Sequence, residues 1–108
     1  MTHADLANAS MLDLFRLEAE EQARVLTAGL LALERTPFAA DSLEACMRAA
    51  HSLKGAARII NLPAGVSVAH NMESCFVAAQ ESRTRLIEQF GLQNIGTDLI
   101  RQAREKSH

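Results

Sequence analysis

The side chains that could do chemistry gather around His51. A histidine offers one neutral ring nitrogen as nucleophile, base or metal ligand, and the other nitrogen sets the tautomer through its own hydrogen bond. Lys54, Gly55 and Arg58 follow at i+3, i+4 and i+7, so a helix would set two cations and a patch of bare backbone beside the imidazole. Gly55 stands out, because glycine inside a helix costs about 0.5–1 kcal/mol relative to alanine. Its lack of bulk would let a large reagent or another protein approach the ring; the alternative is a helix-packing glycine next to an ordinary surface histidine. A second pair, His70 and Glu73, lies further along at i, i+3 spacing. A His-x-x-Glu pair invites a metal reading, but the reciprocal His-Glu pairs of a di-iron bundle and the HExxH of a zincin are missing, so no metal is expected.

The elements that must hold these residues read as helices. Leu43, Cys46, Ala50, Leu53, Ala57 and Ile60 share one face of a helix from Asp41 to about Ile60, with Asp41 and Glu44 in a capping-box arrangement. His51 falls roughly 120° from the centre of that stripe, at the rim or in solvent. Upstream, Met1 to Ala9 show no periodicity and are expected to fray, with Ser10 capping a helix to about Leu33 that carries two adjacent apolar rows; Pro37 ends it. Downstream, Pro63 suits the first turn of a third helix, whose stripe is Val66, Ala69, Met72, Phe76 and Ala79, with Glu73 on its flank. A fourth segment, about Thr84 to Arg104, contains Gly91 and Gly96, which kink it or divide it. Four amphipathic helices with short connections predict an all-α, antiparallel up-down four-helix bundle.

At 108 residues the chain is read as one domain, 1–108, with an ordered bundle over about 10–105. A catalytic kinase unit does not fit in it. Net charge near −2 gives no basic field to hold nucleic acid. No apolar run approaches the ~20 residues of a membrane span, and the N-terminus has no export signal, so a cytoplasmic chain is expected. Cys46 and Cys75 lack metal or redox spacing and read as buried or half-buried thiols. No phosphate-binding glycine loop is present, so no nucleotide cofactor is expected.

His51-Ser52-Leu53-Lys54-Gly55-Ala56-Ala57 resembles the phosphorylation motif of histidine phosphotransfer (HPt) domains, closest to the N-terminal HPt domain of CheA-type chemosensory histidine kinases. Leu14 to Glu21 is similar to the family's first-helix signature, Met47-Arg48-Ala49-Ala50 to its lead-in, and Ala69-His70-Asn71-Met72-Glu73 to its third-helix motif. The resemblance implies that His51 is phosphorylated, that Glu73 accepts from its Nδ1–H and leaves Nε2 outward, that Lys54 screens the phosphoryl charge, and that His70 joins the same hydrogen-bond network. Gly55 and Arg58 would meet partners. The implied partners are the ATP-binding domain of a kinase, on the same polypeptide and acting in trans in a dimer, and the receiver domain of a response regulator. The isolated domain would be a phosphocarrier and not an enzyme, and the chain the N-terminal piece of a larger histidine kinase. The alternatives are a free-standing phosphorelay protein and a non-phosphorylated helical adaptor.

Overall fold

The structure, a computed structural model, describes residues 2–91 and 95–106. Its elements are helices throughout: α1 (His3–Arg35), α2 (Ala40–Ile59), α3 (Pro63–Phe90) and α4 (Ile95–Lys106). α2 and α3 run antiparallel, as their contacts show: Phe38, just before α2, meets Arg83, His51 meets Glu73 and Ala57 lies against Gly65. Most of the packing joins α2 to α3 and α1 to α2, while α4 meets α3 at few positions, in a molecule 69 by 21 by 18 Å. Among the described residues, no helix is long and apolar enough to cross a membrane.

Several boundaries differ from the sequence expectation, each for a local reason. α1 begins at His3 and not after Ser10, because Thr2 and Asp5 form a complete capping box that satisfies the first free amides. α2 is entered from Ala39 without a side-chain cap, so Asp41 sits inside its first turn and Glu44 is left to pair with Arg48. Phe38 delivers the chain there at φ +62°, a conformation unfavourable for a bulky residue, and its carbonyl accepts from Arg83 Nε at 3.0 Å. α2 ends in a Schellman turn: Leu62 N–H bonds to Ala57 O at 2.9 Å and Asn61 N–H to Arg58 O at 3.1 Å, with Asn61 at φ +56°. Pro63 opens α3 as expected. The glycine-bearing last segment is divided: its first part continues α3 to Phe90, Gly91 stops it in the left-handed region, and Gly96 falls in the first turn of α4.

The core is built of small side chains. Leu26, Leu43, Cys46, Ala49, Ala50, Ala57 and Ala69 are buried, with Val25, Leu33, Leu53, Met72 and Phe76 packed against the cluster of Leu26, Cys46 and Ala49. The two apolar rows on α1 are only partly used: Phe15, Val25, Leu26 and Leu33 are buried or half-buried, while Leu12, Leu14, Leu17, Leu30 and Leu31 stay exposed. Cys46 is fully buried and burial pushes its thiol pKa up, so it packs as a small apolar group; Cys75, expected at least half-buried, is exposed because it lies off the α3 stripe.

Gly29 of α1 packs directly against Cys46 of α2, since a Cβ built there would collide with Cys46 Sγ. Gly29→Ala should therefore destabilise the fold: overpacking costs about 1–3 kcal/mol, against a gain of about 1 kcal/mol in helix propensity. A net loss of roughly 1 kcal/mol lowers Tm by about 4–8 °C in a domain of this size. Adding Cys46→Ala should recover part of that loss by making room for the methyl group. Thermal melts of both variants by circular dichroism check this, and additive losses would place the clash elsewhere.

Candidate functional site

α2 and α3 position the site together. His51 projects from the solvent side of α2, with its side chain 70% exposed, and its Nδ1 lies 2.5 Å from Glu73 Oε2 on α3. The other carboxylate oxygen, Oε1, accepts from Lys54 Nζ, also at 2.5 Å. Glu73 is only 17% exposed, and hydrogen bonds from Lys54 first and from His51 second hold its carboxyl below the usual carboxylate range. An ionised carboxylate can only accept, so Nδ1 carries the proton and neutral His51 keeps the lone pair on Nε2. That nitrogen is free to attack an electrophile.

Lys54 is not where the simple helical reading places it. Expected as a cation on the accessible face, it is 8% exposed and turned inward onto Glu73. The signal was present in the sequence: Lys54 follows buried Ala50 by four residues and precedes buried Ala57 by three, which sets it on the edge of the apolar stripe. Its stem lies against the core while the ammonium reaches the carboxylate. His70, one turn before Glu73, is exposed and makes no hydrogen bond to His51 or Glu73, whose two oxygens are occupied by His51 and Lys54. Gly55 is half-buried, and a Cβ there would meet nothing within 4 Å, so no contact inside the domain demands glycine. Arg58 is exposed in the last turn of α2.

Sequence reading missed a cleft of about 360 Å³ beside the imidazole, lined by Met47, Arg48, His51, Ser52, Glu73 and Val77. The spacing that builds it is legible afterwards: Met47 and Arg48 precede His51 by four and three residues, and Val77 follows Glu73 by four. Arg48 is held by Glu44 at 2.7 Å, in an exposed pair on α2.

A helical scaffold that fixes the tautomer of one exposed histidine defines the class of helical domains that present a nucleophilic imidazole. The family model described as the Hpt domain matches residues 10–105, and the chain belongs to that family. It is thus a histidine phosphotransfer domain, a phosphocarrier. The chain is similar to the chemotaxis protein CheA of Borreliella burgdorferi, 28% identical over 96 residues that cover 89% of this chain and 10% of the relative. It is also similar to the chemotaxis protein CheA of Treponema pallidum, 35% identical over 60 residues, 56% of this chain and 7% of the relative. The chain therefore spans about a tenth or less of the length of these relatives. No solved structure matches it significantly.

Because Lys54 is the largest cause of the depressed Glu73 pKa, Lys54→Met should raise it toward the ordinary carboxylate value while preserving the buried volume. A carboxyl whose folded pKa is depressed stabilises the fold above its unfolded pKa, near 4.5, and that contribution is lost as pH falls through the folded value. The variant should lose the contribution at higher pH than the native domain. Carboxyl titration of Glu73 by carbon-detected NMR tests this, and an unshifted midpoint would refute the dominance of Lys54.

Proposed function

We propose that His51 is the phosphorylated residue of a CheA-like kinase, accepting a phosphoryl group from the kinase's ATP-binding domain and passing it to an aspartate on a response-regulator receiver. The observation that carries this reading is the bond from His51 Nδ1 to the ionised carboxylate of Glu73, which leaves Nε2 unprotonated on an exposed ring. In the forward step Nε2 attacks the γ-phosphorus of ATP, the bond to the bridging oxygen breaks, and ADP leaves. In the second step a receiver carboxylate oxygen attacks the same phosphorus and the Nε2–P bond breaks. Glu73 stabilises the ring charge that appears when Nε2 is phosphorylated, and Lys54 keeps Glu73 ionised and fixed. His70 stands exposed one turn before Glu73 on α3, and because it bonds to neither His51 nor Glu73, its proposed share in the network is a bond made to a docked partner. Gly55 and Arg58 form the partner-facing surface.

The similarity to two chemotaxis proteins supports a place at the head of a longer kinase chain in the cytoplasm, with chemotaxis as the output. In that arrangement 1–108 is one domain, and the kinase unit acts on it in trans within a dimer. A free-standing relay protein would use the same chemistry with a receiver as phosphoryl donor.

Two experiments test the reading. Incubated with ATP and a separate CheA-type kinase core, the domain should take up acid-labile phosphate, and His51→Gln should abolish uptake with helical circular dichroism retained. Persistent labelling of that variant would move the site to another histidine. Gly55→Leu should stabilise the helix by about 0.8 kcal/mol through propensity, yet slow transfer to the receiver by roughly 10-fold or more, because a misplaced reacting pair loses rate steeply. Stopped-flow transfer at the native rate would show that the receiver does not approach over Gly55.

A further inference from the structure

We infer that Arg48 is the residue that holds the phosphoryl group once it is on His51, leaving Glu44 to do so. The inference rests on the phosphoryl-carrier reading above and adds a residue that reading does not contain. A phosphoryl group on Nε2 brings up to about two negative charges to the surface of α2, and some cation must meet them. The Lys54 ammonium is turned inward onto Glu73 Oε1 and its side chain is only 10% exposed, so it stands behind the exposed ring and not at its open face. Arg58 is seven residues along the helix, an axial rise of roughly 10 Å, and does not line the cleft at His51. Arg48 does line it, one turn from His51 at a rise of about 4.5 Å and on the same side of α2. Its side chain is 75% exposed and can swing.

What restrains Arg48 is weak. Its partner Glu44 is itself 50% exposed, and ion pairs of this kind along a helix contribute little in water. A phosphoryl group offers three oxygens and more charge than a carboxylate, and a guanidinium matches them with two parallel N–H donors. The exchange of Glu44 for the phosphoryl group is therefore downhill, and it makes the unphosphorylated pair a resting place for the cation. Met47 and Val77 form the apolar sides of the cleft.

The domain can be loaded without a kinase by potassium phosphoramidate. Nε2 attacks phosphorus, the P–N bond of the zwitterionic reagent breaks, ammonia departs with the protons it already carries, and the ring keeps the proton on Nδ1. Phosphorus NMR of the loaded native domain, with His51→Gln as background, should show one signal assigned to His51. Arg48→Gln should shift that signal, raise the pH midpoint of phosphoryl protonation and speed hydrolysis by about 3–10-fold, the scale of a charge-assisted contact at an exposed site. Arg48→Lys should restore part of the lifetime, and Glu44→Gln should lengthen it by freeing the guanidinium. Identical decay and identical titration in Arg48→Gln and the native domain would overturn the role of Arg48. Absence of any His51 signal in the native domain would instead overturn the carrier reading on which it depends.

Discussion

One carboxylate holds the site together. Glu73 places Oε2 on His51 Nδ1 and Oε1 on Lys54 Nζ, so a single side chain of α3 fixes two side chains of α2. Its ionisation matters as much as its position, because a protonated carboxyl could present a donor to the ring and leave the tautomer undefined. Lys54 prevents that from inside, where its ammonium is shielded from water and the attraction is correspondingly strong. The imidazole itself stays largely exposed. The arrangement thus separates a shielded part, which sets the electronic state of the ring, from an open part where the ring can react.

A short glutamate can bridge to α2 only if the two helices lie close, and the core explains why they do. Ala49, Ala50 and Ala57 of α2 and Ala69 of α3 are buried, and the largest fully buried side chain among the described residues is that of Cys46. Small residues at a helix contact bring the axes toward the near end of the usual 8–10 Å range. Gly65 lies against Ala57 near the turn, where an added Cβ would come within 3.2 Å of the Ala57 methyl. The same economy of bulk recurs between α1 and α2 at Gly29 and Cys46. Reach at the site and packing in the core are therefore one constraint.

The helices were legible from the chain because periodicity acts over a few residues, whereas the pairing of His51 with Glu73, 22 residues apart, was implied only by the resemblance of their two motifs to a family. Proline acted as a local signal and placed the start of α3, while Gly91, expected to kink or divide a separate segment from about Thr84, instead ends α3 itself, which runs without a break through Thr84. The misreadings arose where local rules competed. Thr2 with Asp5 made a better start for α1 than Ser10, and a backbone turn at Phe38 overrode the cap expected of Asp41. Lys54 reads as a surface cation by its charge, but its angular position between buried Ala50 and Ala57 makes it a border residue of the apolar stripe. The cleft at Arg48 required the separation of α2 from α3, a tertiary quantity that no single-helix pattern contains.

The Schellman turn at Asn61 carries a further consequence, for the order in which the molecule is made. His51 and Glu73 are 22 residues apart and Lys54 and Glu73 only 19, and between them lies one tight reversal closed by its own hydrogen bonds. The loop that must close to bring the reactive ring to its carboxylate is short, so its entropic cost is small and its closure is fast. Such a helical hairpin can form ahead of its docking onto α1. During synthesis and after any transient opening, the chemistry-bearing half of the molecule is then the half that re-forms from nearby contacts.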